Sequence, residues 1–75
     1  MDKIEIKEML ARQLRLDANE IDDDANLVND LGADSIDLVE MLMMIEENLG
    51  ITISDEEAVE LKTVRDVMNF IEDHE

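Results

Sequence analysis

Nine apolar residues lie between positions 36 and 49, and their helical spacing constrains the fold more than any other feature of the chain. Asp34 precedes this run in the position of an N-cap, and Asp37 occupies the third helical position. Gly50 follows the run and is the residue type that most often ends a helix in a left-handed conformation. The pattern therefore predicts a helix from Ser35 to Leu49, with Ser35 in its first turn.

The segment before this helix predicts one further helix and one long connection. A first helix extends from about Asp2 to Arg15, where Asp2 and Glu5 can form an N-terminal cap. A polar connection over positions 16–33 follows, and so long a loop in a small domain is usually functional or held by its own apolar side chains. We expect this connection to be held by its own apolar side chains and to contain a short helical turn. The available anchors are Ile21, Leu27, Val28 and Leu31.

Two more helices are predicted after Gly50. Ser54 and Glu57 form a capping box that opens a short third helix ending at Glu60, and Thr63 caps a fourth helix. The apolar positions of the fourth helix are Val64, Val67, Met68 and Ile71. The predicted fold class is therefore all-α, a small four-helix bundle with one short helix and a long first loop. The 75 residues are long enough for a single domain with a thin core, which we expect over residues 1–75.

The charge of the chain is strongly negative and unevenly distributed. Twenty-two acidic residues stand against six basic ones, giving a net charge of -16, and residues 16–61 contain 15 acidic residues and no basic one. Nucleic acid is excluded as a partner because its phosphates would be repelled. A solvated surface is the ordinary interpretation of a charge run, but the position of this segment around Ser35 favours a docking face for basic partners.

The residue types in the chain exclude several other functions. There is no Cys, so the chain can form no disulfide bond and has no thiol nucleophile of its own. A single His and no phosphate-binding glycine loop leave no catalytic constellation, and an enzyme is not expected. No apolar run is long enough to span a membrane, and no basic-then-apolar leader opens the sequence. A cytoplasmic monomer is therefore expected.

An exposed apolar face is expected on the helix that follows Asp34. Nine apolar residues exceed what one buried stripe requires, so some must be exposed or line a cavity. Ile36 and Met43 share one face with Glu40 between them, whereas Leu42 and Ile45 are better candidates for the core. Three methionines form a soft cluster in this helix: Met41, Met43 and Met44.

Acidic residues in the long connection suggest a weak interaction with cations. Asp22, Asp24 and Asn26 have the spacing of the first three ligands of an EF-hand calcium loop. Leucine replaces the Gly required at the sixth position of that loop, and alanine replaces the bidentate Glu at the twelfth. No specific metal site is therefore expected. We do expect divalent cations to associate weakly with Asp22, Asp24 and Asp30.

The sequence around Ser35 resembles the acyl carrier protein family, whose attachment motif is Asp-Ser-Leu flanked by Leu-Gly-Ala and Asp. Here the motif reads Asp34-Ser35-Ile36, preceded by Leu31-Gly32-Ala33 and followed by Asp37. The similarity continues through positions 46–47, 51–58 and 63–67, and it covers nearly the whole chain. Ile36 replaces the usual Leu, and this change removes no required chemical group.

The resemblance implies a cofactor, partners and a binding pocket. Ser35 would carry 4'-phosphopantetheine, donated from coenzyme A by a phosphopantetheinyl transferase, and the arm would hold acyl intermediates of fatty acid biosynthesis as thioesters. The transferase and basic-surfaced enzymes of fatty acid synthesis would dock on Asp34, Ile36, Asp37, Glu40, Met43, Glu46 and Glu47. The acyl chain would shelter between the helices against Leu42, Ile45, Ile53, Ala58 and Leu61.

Two other functions stay open at this point. One is a carrier for polyketide or aminoacyl cargo, since the residues around Ser35 do not specify the cargo. The other is an acidic, Met-rich module that binds partner proteins without a covalent cofactor. Intact mass after incubation with coenzyme A and a transferase distinguishes this module from both kinds of carrier.

Overall fold

The computed structural model describes residues Met1–Glu75 and contains four α-helices and no β-strand. The helices are α1 (Lys3–Leu14), α2 (Ser35–Leu49), α3 (Asp55–Ala58) and α4 (Val64–His74). A single 3₁₀ turn, Ala18–Glu20, lies in the long connection between α1 and α2. α1 packs against α2 and α4, and these two helices also contact each other. The predicted all-α bundle with one short helix and a long first loop is confirmed.

The bounds of α1 are set by caps at both ends. The Asp2 carboxylate accepts the Glu5 amide at 2.8 Å, and the Glu5 carboxylate accepts the Asp2 amide at 3.4 Å. At the other end Arg15 adopts a left-handed conformation, with φ of 61°, and its amide donates to the Ala11 carbonyl. The predicted range includes both caps and is therefore one residue longer at each end than α1 itself. The helix buries Ile6, Met9, Leu10 and Ala11.

Apolar side chains anchor the long connection, as predicted, but Val28 is not one of them. Ile21 and Leu27 are buried, and Leu31 packs half-buried against the core. The Leu31 amide donates to the Asn26 carbonyl at 3.1 Å, which makes a helix-like turn. This turn places positions 27 and 31 on its inner side and leaves Val28 49% exposed, so the prediction for Val28 is wrong.

Backbone hydrogen bonds tie the same connection to the segment before α4. The Leu27 amide donates to the Lys62 carbonyl at 2.9 Å, and the Val64 amide donates to the Ala25 carbonyl at 3.0 Å. Asn26 and Thr63 lie between these bonds as an isolated antiparallel bridge. The connection is thus held on the body of the bundle, which fixes the point at which the chain enters α2.

α2 has the predicted bounds, and of its two predicted core residues Ile45 is buried and Leu42 packs half-buried against the core. Gly50 ends the helix with φ of 66°, and its amide donates to the Glu46 carbonyl at 2.8 Å. Met41 and Ile45 are the buried residues of the helix, whereas Leu42 is half-buried at the edge of the core. The prediction that Leu42 and Ile45 face the core in preference to Ile36 and Met43 is therefore confirmed, and Met41, one turn before Ile45, is a further buried residue of the same face.

α3 is a single turn that ends at Ala58, two residues before the predicted end at Glu60. The Glu60 and Leu61 amides donate to the Glu57 and Ala58 carbonyls, three residues back rather than four. This tighter turn carries Leu61 into the core. α4 buries the four residues that its pattern predicts: Val64, Val67, Met68 and Ile71.

The core consists of 14 buried residues, all of them apolar, contributed by α1, α2, α4 and the connections before α2 and α4. Polar and charged side chains therefore lie at the surface or at its edge, where they cap helices, pair with one another or contact solvent. None of the helices combines the length and the apolar character that a membrane crossing requires.

Candidate functional site

Ser35 is the first residue of α2 and lies exposed at the surface. Ala33, two residues earlier, is only 4% exposed, and its amide donates to the Leu27 carbonyl at 2.9 Å. Asp34 follows in an extended conformation, so the chain turns from the core to the surface immediately before the helix begins. The fold therefore places Ser35 at the surface, at a helix start that the hydrogen bond between Ala33 and Leu27 anchors to the long connection.

Asp34 and Asp37 cap this helix end reciprocally. Asp34 Oδ1 accepts the Asp37 amide at 2.8 Å, and Asp37 Oδ2 accepts the Asp34 amide at 3.2 Å. Each bond satisfies one of the four amides that the start of a helix leaves without an intrahelical partner. The two carboxylates thus have a structural function, whereas the docking function that the resemblance implies for them stays a prediction.

The start of α2 leaves two further amides without an intrahelical partner, those of Ser35 and Ile36. Both amides lie in the same turn as the serine hydroxyl. The N-terminus of a helix carries partial positive charge and favours phosphate. The carboxylates of Asp34 and Asp37 oppose a phosphate by repulsion, so binding of a free phosphate is not what this site favours. A phosphate joined to Ser35 by a covalent bond fits the site, because the bond supplies the attachment and the two amides stabilise the charge.

An exposed apolar stripe, formed by Ile36, Val39 and Met43, runs along α2 from the residue after Ser35. Their exposed fractions are 68%, 55% and 54%. The spacing of Ile36 and Met43 predicts that they share one exposed face, and the structure confirms that both lie at the surface. Val39 also belongs to this stripe, but the sequence analysis did not include it. Its position three residues after Ile36 predicts the same face of the helix.

The glutamates of α2 differ in their contacts. Glu40 is exposed beside the stripe, and its Oε2 accepts a hydrogen bond from Gln13 Nε2 of α1 at 2.7 Å. Glu46 is half-buried, and its Oε2 accepts the Ile53 amide at 2.7 Å. Glu47 is exposed to solvent. Glu40 and Glu47 therefore present charge at the surface, whereas the Glu46 carboxylate also holds the segment after α2.

Basic residues lie against the long acidic connection, which the linear sequence does not indicate. Lys7 Nζ lies 2.5 Å from Asp23 Oδ1, and Arg65 Nε donates to Asp24 Oδ1 at 2.7 Å. The hydrogen bond from Lys7 lowers the pKa of the Asp23 carboxyl below its ordinary value. The connection is thus partly neutralised by α1 and α4, whereas the carboxylates of α2 have no basic partner in the chain.

The acidic residues expected to attract cations line one open depression. Asp22, Asp24 and Asp30 surround it together with Glu20. Asp22 Oδ1 accepts the Asp24 amide at 3.0 Å, and Asp30 Oδ2 accepts the Asn26 amide at 2.8 Å. No group of three or more His, Cys, Asp or Glu side chains is arranged to hold a metal ion. Weak association of divalent cations here stays a prediction.

The residues predicted to shelter an acyl chain pack in the core and at its edge. Ile45 and Leu61 are buried, and the half-buried members of the set are Leu42, Ile53 and Ala58. Three open depressions mark the surface, and Leu61 alone of this set lines one of them, between α3 and α4. An acyl chain would have to separate these packed side chains, and the pocket stays a prediction.

Comparison with known proteins assigns the chain to a family. Residues 5–71, which include Ser35 and all of α2, match the family described as the phosphopantetheine attachment site. The acyl carrier protein of Solidesulfovibrio magneticus is 49% identical over 67 residues, 89% of this chain and 86% of that protein. The acyl carrier protein of Helicobacter hepaticus is 47% identical over 73 residues, 96% of each chain.

Solved structures agree with these relatives. A protein from Mycobacterium tuberculosis, described as a candidate acyl carrier protein, superposes with a TM-score of 0.80 at 36% identity over 89% of each chain. A similarly described protein from Anaplasma phagocytophilum gives a TM-score of 0.81 at 33% identity, over 92% of this chain and 82% of that one. The match to the attachment-site family decides against an interaction module without a covalent cofactor. The chain therefore belongs to the acyl carrier protein family, whose members are carriers with covalently attached 4'-phosphopantetheine.

Proposed function

We propose that Ser35 is the attachment residue for 4'-phosphopantetheine and that the protein carries acyl intermediates of fatty acid biosynthesis. The observation that supports attachment at Ser35 is its exposed position at the N-terminus of α2, within the residues that match the phosphopantetheine family. The acidic surface around α2 supports transfer among enzymes with basic surfaces, because charge complementarity speeds encounter.

The proposed attachment is a nucleophilic substitution by the Ser35 hydroxyl. Its oxygen attacks phosphorus in the pyrophosphate of coenzyme A, and the hydroxyl proton passes to a base of the transferase. One oxygen–phosphorus bond forms, one breaks, and the nucleotide part of coenzyme A leaves. The amides of Ser35 and Ile36 stabilise the charge of the phosphodiester that results. The attached group supplies the thiol that this chain lacks, and so allows an acyl chain to be carried as a thioester.

The apolar stripe and its acidic border form the proposed docking face. Ile36, Val39 and Met43 supply contact area, and Glu40 and Glu47 supply charge at the surface. A carrier must leave each enzyme quickly, and a small apolar contact steered by charge gives fast association with weak retention. Phosphopantetheinyl transferase and the enzymes of fatty acid synthesis would therefore use overlapping parts of this face in succession.

Attachment is tested by intact mass after incubation with coenzyme A and a phosphopantetheinyl transferase. We expect the unaltered chain to gain one phosphopantetheine, and Ser35→Ala to gain none because the nucleophile is lost. Ser54→Ala is the matched control, since Ser54 is also a surface serine next to a helix start, and it should still be modified. Modification of the Ser35→Ala variant would remove Ser35 from this role.

The cargo is tested on protein isolated from its own cell. Fatty acyl groups of increasing length, found by intact mass and released by hydroxylamine, would support a role in fatty acid biosynthesis. Release of polyketide or aminoacyl groups instead would assign the protein to one of the alternative carrier functions.

A further inference from the structure

The six methionines of the chain differ sharply in exposure. Met43 is 54% exposed, whereas Met9, Met41 and Met68 are between 2% and 4% exposed. The remaining two, Met1 and Met44, are half-buried. Because the chain has no Cys, methionine thioethers are its own oxidisable sulfur atoms, and an oxidant in solution meets Met43 first.

The position of Met43 links its oxidation to the surface of α2. Met43 forms one end of the apolar stripe, four residues after Val39 and seven after Ile36. Its flexible thioether can adapt to differently shaped partners. Oxidation converts this group into a polar sulfoxide, which must be desolvated when a partner covers the stripe. The same change in a buried methionine would disrupt the core instead.

We propose that Met43 is a site of reversible oxidation that weakens the docking of partner enzymes on α2. The inference rests on the docking function proposed above for this face. A peroxide transfers one oxygen atom to the Met43 sulfur while its O–O bond breaks, and the remainder of the peroxide leaves as water or an alcohol. The sulfur loses two electrons in this step. A methionine sulfoxide reductase reverses it, with two thiols supplying the electrons and forming a disulfide as water leaves.

The site of oxidation is tested by treating the full chain with dilute hydrogen peroxide before phosphopantetheine is attached, so that no cofactor thiol competes. Peptide mass mapping over time should show one oxygen added at Met43 before the other five methionines react. The thermal unfolding midpoint should stay unchanged at this stage, because Met43 is outside the core. Equal or faster oxidation at Met44 or Met1 would overturn the assignment.

The effect on docking is tested by the rate of phosphopantetheine transfer to treated and untreated chain. We expect oxidation to lower kcat/KM by about five- to tenfold, the size of a lost contact at an interface. Reductases for both sulfoxide epimers should restore the rate. In Met43→Leu, peroxide treatment should leave kcat/KM almost unchanged. Met44→Leu is the matched control, and treatment should lower its kcat/KM as much as that of the unaltered chain.

The outcomes separate this inference from the function on which it depends. If the untreated chain is not modified at all, the proposed carrier function fails and the inference fails with it. If treated and untreated chains are modified at the same rate although Met43 is fully oxidised, the carrier function stands and the oxidation proposal alone is overturned.

Discussion

Glu46 Oε2 accepts a hydrogen bond from the Ile53 amide at 2.7 Å, across the end of α2 and the turn at Gly50. Ile53 packs half-buried against the core, so water has limited access to this amide. The bond holds the segment that leads from α2 into α3, and it gives Glu46 a stabilising function besides the docking function proposed for α2.

Removal of this bond should destabilise the fold. We expect Glu46→Ala to lower the free energy of unfolding by about 1–2 kcal/mol, because the Ile53 amide loses its charged acceptor. Glu46→Gln should lose less, since its carbonyl oxygen can still accept the bond. Urea unfolding measures the difference, with Glu47→Ala as the control for loss of an exposed carboxylate from the same helix. Equal losses for the two alanine variants would contradict the prediction.

Charge reversal at Glu40 should slow phosphopantetheine transfer. Glu40→Lys changes the charge beside the apolar stripe, and the loss of rate should be largest at low salt, where screening is weakest. Glu72→Lys makes the same change on an exposed position of α4 and controls for net charge. Gln13→Ala removes the hydrogen bond between α1 and Glu40 but leaves the charge of Glu40 unchanged. This variant therefore shows how much of the loss of rate comes from local structure and not from electrostatic steering. A rate that falls equally in Glu40→Lys and Glu72→Lys would show that net charge alone matters.

The left-handed end of α2 predicts a backbone effect at Gly50. Its φ is 66°, and an added Cβ would meet no atom within 4 Å, so a substitution there is penalised by conformation and not by a clash. We expect Gly50→Ala to lower the free energy of unfolding by about 1 kcal/mol. Gly50→Asn should lose less, because Asn tolerates this conformation better. Thermal unfolding of both variants checks the prediction, and identical losses would argue against it.

The start of α4 predicts a dependence of stability on pH. Partial burial acts to raise the pKa of the Asp66 carboxyl, but hydrogen bonds from the Thr63 and Lys62 amides outweigh it and lower the pKa below its ordinary value of 3.8. The folded protein therefore binds fewer protons at Asp66 than the unfolded chain does. The stabilising contribution is fully present above pH 3.8 and is lost as the pH falls through the lower folded pKa.

Asp66→Asn should accordingly destabilise the protein at neutral pH, and the difference from the unaltered chain should shrink in strongly acidic solution. Urea unfolding at neutral pH and below the ordinary pKa of 3.8 measures both differences. Asp73→Asn makes the same charge change on an exposed position of α4 and serves as the control. A difference that stays constant with pH would show that the Asp66 carboxylate does not stabilise the start of α4 through its charge.

Sequence determined the start of every helix and the end of α2, because the interactions that form them are local. The capping boxes at Asp2, Asp34, Ser54 and Thr63 each join residues only three positions apart, and a single glycine ends α2. The position of Ser35 in the first turn of α2 could likewise be predicted, because Ser35 directly follows the cap at Asp34. Such features are contained within one turn of helix, so the order of the residues is sufficient to predict them.

Tertiary structure alone decided which side of each segment faces the core and which charges meet. Helical spacing groups Met41 with Ile45 and Ile36 with Val39, but the packing of α1 and α4 against α2 determines which group is buried. Arg65 reaches Asp24 across 41 positions of sequence. Ion pairs and buried faces depend on distances between elements that are remote along the chain, and those distances exist only once the helices have packed.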